Sequence, residues 1–136
     1  MTEFIEQKIT AKDFNYLTDK VGWGMRDEKL VEEALNSTLY SVCAYEDGQI
    51  IGYGRIIGDK TIFLYVQDIM VVPEHQGENV GTGIMNRIVG KIKELKISSP
   101  TLRAYLGASK GKEDFYKRFG FLTRSQADLG EGMVWF

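Results

Sequence analysis

The apolar residues of this chain change their spacing part-way along it, and the change divides the sequence into elements. From Gly81 onward Ile84, Met85, Ile88, Val89, Ile92 and Leu95 recur at three- and four-residue intervals. That period predicts an amphipathic helix running to about Lys96. Upstream, Thr38–Tyr45 and Ile50–Ile57 are short strand-like runs separated by Glu46-Asp47-Gly48-Gln49, a hairpin with Asp47-Gly48 as its turn. Gly58-Asp59-Lys60 turns the chain into a long strand, Thr61–Val72, so three antiparallel strands follow one another. The opening Phe4, Ile5, Gln7 and Ile9 read as a short strand. Thr10 suits a helix N-cap with Asp13 at N3, predicting a helix to about Lys20 that Val21-Gly22-Trp23-Gly24 breaks. Asp27 caps a second helix with Leu30, Val31, Ala34 and Leu35 on one face. Beyond Pro100, Thr101–Leu106 is a strand and Lys112–Phe119 a short helix ended by Gly120. Phe121–Arg124 and Met133–Phe136 close the chain as strands. The order βααβββαβαββ predicts an α+β fold. Its mixed, mostly antiparallel central sheet is flanked by helices, and residues 61–106 supply one parallel strand–helix–strand unit.

Composition narrows the classes of function. With 136 residues, the chain has the length of one domain, residues 1–136. Hydrophobic residues make up 43% and charged residues 26%, enough for a packed core and unlike a disordered chain. The net charge of -2 argues against nucleic acid held on a large basic surface. Cys43 and His75 are each the sole residue of their type, so an internal disulfide and a Cys/His zinc site are both excluded. Cys43 therefore reads as a small core residue and His75 as a packed or solvent-facing one. The first ten residues contain no apolar run long enough for a signal peptide or membrane span, so no membrane partner and a cytoplasmic location are expected.

The segment with the most chemistry runs from Val71 to Met85, where a strand enters a glycine-rich turn and then a helix. Backbone N–H groups at a helix start have no intrahelical acceptor, and with the helix dipole they suit an anion, most naturally a phosphate. Gly77, Gly81 and Gly83 allow close backbone approach, and Asn79 is the non-glycine type that best tolerates positive φ. On spacing alone the same segment also reads as an ordinary glycine-rich connection. It does not fit two familiar phosphate loops. Gly81 is followed by Thr82-Gly83 rather than Lys-Ser/Thr, and the position and spacing of a dinucleotide fingerprint are missing.

Gln76-Gly77-Glu78-Asn79-Val80-Gly81 resembles the Gln/Arg-x-x-Gly-x-Gly/Ala loop of the Gcn5-related N-acetyltransferase (GNAT) family, with Asn79 standing at the first glycine. Two further segments are similar to that family. Glu113–Phe121 matches its helix bearing Phe-Tyr and ending in Gly-Phe, and Glu46–Gly54 matches its hairpin. The likeness spans essentially the whole chain and implies a splayed parallel strand pair.

The family transfers an acetyl group from acetyl-CoA directly to an amine in a ternary complex, without a metal. By resemblance, Gln76, Gly77, Glu78, Asn79, Val80, Gly81 and Thr82 would hold the pyrophosphate, and Ser109 would add a cofactor contact. Met70 and Val72 would pair with the pantetheine amides as an added strand does, and an N–H near Met70 or Val71 would polarise the thioester. Tyr116 would protonate the leaving thiolate. Asp68 and Gln67 are candidates for accepting the amine proton, Asp68 directly and Gln67, with Tyr65, through an ordered water; Asp68 reads equally as a structural carboxylate. Alternation along the strand places Tyr65 and Gln67 on one face and Asp68 on the other. On the acceptor side stand Trp23, either an exposed indole or a core plug, Tyr65, and Arg55, which either pairs with Asp59 or faces the acceptor. A small-molecule amine is the expected acceptor, with a peptide or protein amine as the alternative, and the resemblance favours a homodimer. The alternative functions are a non-catalytic acyl-CoA-binding module and a nucleotide binder using the same helix start.

Overall fold

The structure, a computed structural model, describes residues 1–136. The chain forms two compact units, Met1–Tyr105 and Leu106–Phe136. The elements are β1 (Glu3–Ile5), α1 (Ala11–Lys20), α2 (Glu28–Leu35), β2 (Tyr40–Glu46), β3 (Gln49–Gly58), β4 (Phe63–Val71), α3 (Val80–Ser98), β5 (Arg103–Leu106) and α4 (Glu113–Lys117), with a single 3-10 turn at Pro73–His75. Five strands lie in the order β1-β2-β3-β4-β5. The first four are antiparallel neighbours, and β5, returning through α3, makes the parallel pair with β4.

Local chemistry explains most boundaries. The Thr10 hydroxyl accepts from the Asp13 N–H and the Asp27 carboxylate from the Leu30 N–H, so both first helices start where a side chain satisfies an orphan donor. In α2 only Val31 and Leu35 are buried; Leu30 and Ala34, expected on the same apolar face, are exposed. Asp47 and Gly48 both have positive φ, 50° and 77°, the signature of the two-residue turn whose twist matches a hairpin. The fourth strand starts at Phe63 rather than Thr61 because one oxygen of Asp59 accepts from the N–H groups of Thr61, Ile62 and Phe63. That carboxylate holds the segment as a turn and keeps Asp59 away from Arg55.

The two closing strands expected at Phe121–Arg124 and Met133–Phe136 do not form. Between them, Ala127 donates to the Thr123 carbonyl, Asp128 to Ser125 and Leu129 to Arg124, while the Arg124 side chain reaches the Gly130 carbonyl. Ser, Thr and Gln side chains add to these local bonds and compete with a ladder. Met133–Phe136 is exposed throughout.

Tyr53 stacks edge-to-face on Phe14 of α1 at 6.0 Å, which marks one face of the sheet as the α1/α2 side. On the other side α3 lies close against β3. A Cβ on Gly54 would come within 2.6 Å of Ile69 Cδ1 and 2.8 Å of Ile84 Cγ2, so only glycine permits that approach. Cys43 is fully buried, as a small core residue should be.

Burial pushes the Cys43 thiol up to about 11 and the Tyr53 phenol up to about 12. The fold holds both protons more tightly than the unfolded chain, which releases them around 9 and 10. The contribution of these two groups to stability is therefore constant below pH 9 and falls as pH rises from there towards 12. Urea midpoints measured between pH 8 and about 10.5 should decline, and the early part of the decline should shrink in Cys43→Ala.

Candidate active site

The strand-to-helix connection is built from backbone. Val72 donates its N–H to the Ile51 carbonyl at 2.8 Å and accepts from the His75 N–H at 3.0 Å, so both its backbone groups are used inside the chain. Gln76 is extended, and its Nε2 donates to the Val71 carbonyl at 3.0 Å, drawing the loop back over the end of β4. Asn79 is the N-cap of α3 in the left-handed conformation, φ 65° and ψ 17°, with no side-chain cap bond. The first helical bond runs from the Gly83 N–H to the Asn79 carbonyl, so the amides of Val80 and Gly81 emerge along the helix axis. A phosphate fits this end, where dipole and donors point the same way. Two carboxylates flank the loop, and both are engaged. Glu74 accepts from Lys20 at 3.1 Å, and Glu78 lies 3.0 Å from His75 Nδ1.

A non-glycine residue with positive φ costs roughly 1–2 kcal/mol, and Asn tolerates it best. Asn79→Gly should therefore match or slightly exceed the parent in urea midpoint, whereas Asn79→Ala should lose about 1 kcal/mol.

β4 departs from simple alternation. Its register with β3 slips between Tyr53 and Arg55, which pair with Met70 and Gln67, so Asp68 and Ile69 together oppose Gly54. Asp68 has φ 58° at the first position of this bulge. The bulge overturns the expected faces. Cross-strand partners share a face, so Tyr65, Gln67 and Met70 lie on the α1/α2 side, and Asp68 joins them. There its Oδ2 accepts from Arg55 Nε at 2.7 Å and its Oδ1 from Gln67 Nε2 at 3.4 Å. Arg55 Nη1 also donates to the Ala34 carbonyl and the Thr38 hydroxyl. Both charged side chains are about nine-tenths buried. Asp68 thus has the bonding of a structural carboxylate, and Arg55 pairs with Asp68 rather than with Asp59.

The same register moves the expected cofactor edge. Bonded and non-bonded pairs alternate along an antiparallel ladder. Because Val72 donates to Ile51, the backbone groups of Met70 also point to β3 and those of Val71 point away. Of Met70, Val71 and Val72, only Val71 thus has its backbone groups turned away from β3. β5 has four residues and starts level with Ile62, whose carbonyl accepts from the Arg103 N–H. It therefore ends before Asp68, leaving the β4 edge from the bulge onward with no strand beside it.

Trp23 sits between Gly22 and Gly24, its N–H bonded to the Thr18 carbonyl. Trp23 is 47% exposed, which favours the exposed-indole reading over the core plug. Tyr65 is half-buried and Gln67 exposed. In the second unit Ser109 is exposed, and its carbonyl accepts from Lys112 at the entrance to α4. Tyr116 on α4 packs edge-to-face with Phe115 at 5.0 Å and Phe121 at 6.4 Å. Burial raises its phenol above the ordinary value of 10. Sequence reasoning missed Ala34 and Thr38 as partners of Arg55. An aspartate amid strand-forming residues was the available sign of the bulge, since Asp is depleted in strands yet tolerates positive φ.

A family model for the acetyltransferase (GNAT) domain matches residues 15–136, and the chain belongs to that family. It is accordingly an N-acetyltransferase in fold and class. An uncharacterised N-acetyltransferase, ycf52, of Gracilaria tenuistipitata is 30% identical over 132 residues, covering 94% of this chain and 69% of that protein. A solved structure described as a probable acetyltransferase of meticillin-resistant Staphylococcus aureus is 27% identical with a TM-score of 0.87, each chain covered in full. The Escherichia coli GNAT protein YhbS, solved in complex with CoA, shares the fold at 17% identity and a TM-score of 0.72, covering 95% of this chain and 73% of YhbS. No helix is long and apolar enough to cross a membrane.

Proposed function

We propose that residues 1–136 act as one domain that moves an acetyl group from acetyl-CoA to the primary amine of a small molecule within a ternary complex. The observation that carries this reading is the left-handed Asn79 N-cap, which starts α3 where the family has a glycine and leaves the Val80 and Gly81 amides without intrahelical acceptors. The backbone of Gln76–Thr82 holds the pyrophosphate, and Ser109 adds a polar contact. Val71, on the β4 edge beyond the end of β5, pairs with a pantetheine amide or donates its N–H to the thioester carbonyl, where negative charge grows during attack. Tyr116 delivers its Oη proton to the departing thiolate. Trp23 offers an exposed aromatic face to the acceptor, suited to an aromatic or cationic amine. With Asp68 committed to Arg55, the amine proton leaves through water ordered by Gln67 and Tyr65, or the amine arrives neutral.

Calorimetric titration with acetyl-CoA, CoA and ATP tests the cofactor assignment. Saturable binding of the first two without ATP supports it and justifies screening amines by thiol release. ATP binding tighter than CoA would overturn it. Binding of acetyl-CoA without thiol release for any amine would favour the non-catalytic module instead.

A further inference from the structure

Asp68 occupies a conformation that a strand interior rarely accepts. A non-glycine residue keeps positive φ when its surroundings over-determine it. Here the surroundings are Arg55. Its Nε meets Asp68 Oδ2 at 2.7 Å, and its Nη1 donates to the Ala34 carbonyl at 3.1 Å and to Thr38 Oγ1 at 3.2 Å. One guanidinium thereby ties the β4 bulge to the last turn of α2 and to the segment entering β2. With the two side chains 11% and 10% exposed, removing either charge would leave the other poorly solvated. The bulge also sets the phase of the last residues of β4. A slip of one residue reverses the backbone and side-chain directions of a strand, so the outward aim of Val71 depends on the extra residue at Asp68.

We propose that Arg55 and Asp68 are positioning residues for the acyl-transfer reaction. Their ion pair fixes the bulge, so that the Val71 amide faces the open β4 edge, and holds that edge in register with the α2 side of the sheet. This rests on the acetyl-transfer reading, and the test separates the two.

Asp68→Asn keeps tolerance of positive φ and an oxygen for Arg55. Asp68→Gly keeps the backbone freedom and removes the link, as Arg55→Met does from the other side. With acetyl-CoA and an accepted amine, Asp68→Asn should stay within about threefold of the parent kcat, whereas Asp68→Gly and Arg55→Met should each lose about tenfold. CoA affinity should fall less than kcat in all three, because the backbone amides at the start of α3 lie outside the link. The double variant Asp68→Gly/Arg55→Met should fall no further than either single one, since both break the same link. Amide hydrogen exchange at Ile69–Val71 should quicken in both link-breaking variants, a readout that needs no turnover. Unchanged exchange there would overturn the proposal. So would loss of turnover in Asp68→Asn together with the acid limb of the kcat profile, which would make Asp68 the proton acceptor. Quickened exchange in a protein whose parent releases no thiol would support the brace and count against the reaction.

Discussion

Tyr116→Phe is expected to lower kcat by about a hundredfold or more while leaving the CoA dissociation constant unchanged. The substitution removes one oxygen and its proton and preserves the ring that packs on Phe115 and Phe121. General acid catalysis is worth roughly 10²–10⁴-fold, and an uncompensated thiolate is the species that would suffer. Burial raises the phenol above its ordinary value of 10, so the parent keeps its acid across the neutral range. Its rate should decline only as pH rises past that value, and Tyr116→Phe should lack that alkaline limb. Thiol-release kinetics with calorimetry of CoA binding measure both halves. An unchanged rate would remove Tyr116 from the chemistry.

The largest expected loss of stability is at Gly58→Ala. Gly58 closes β3 with φ 140°, and a Cβ there would collide with the Phe63 carbonyl and come within 2.8 Å of Leu64 Cα. Both neighbours are backbone, so no side chain can swing aside. Positive φ costs an L-residue roughly 1–2 kcal/mol, and forcing atoms into a packed site adds about 1–3 kcal/mol. The variant should lose about 2–5 kcal/mol, read as a urea midpoint lowered by about 1 M or more at unchanged slope. A shift under about 0.3 M would mean that the β3–β4 turn relaxes around the methyl group.

The features legible in the sequence are those held by local interactions. The Asp47-Gly48 turn, the Thr10 and Asp27 caps and the apolar period of α3 depend on residues within a few positions of one another, and each appears where the pattern puts it. The loop of the candidate site was readable for the same reason, because Asn at a left-handed N-cap is a local preference. Alternation could not give the phase of β4 after Asp68. That phase depends on Arg55, thirteen residues away, and on a helix end farther still. The expected closing strands do not form: Phe121–Arg124 and Met133–Phe136 have strand composition, but Thr123, Ser125 and Gln126 supply turn bonds that composition does not weigh.

The loop between Gln76 and Gly83 has a practical consequence for mutational scanning. Its donors are main-chain amides, which every residue except proline carries alike. Replacing Glu78 or Val80 with alanine deletes a side chain and leaves the donor in place. Alanine at these two positions would accordingly look silent for the proposed phosphate site while proline would not, and a family searched by side-chain identity would undercount members that reach the same backbone by another residue, as this one does with Asn79.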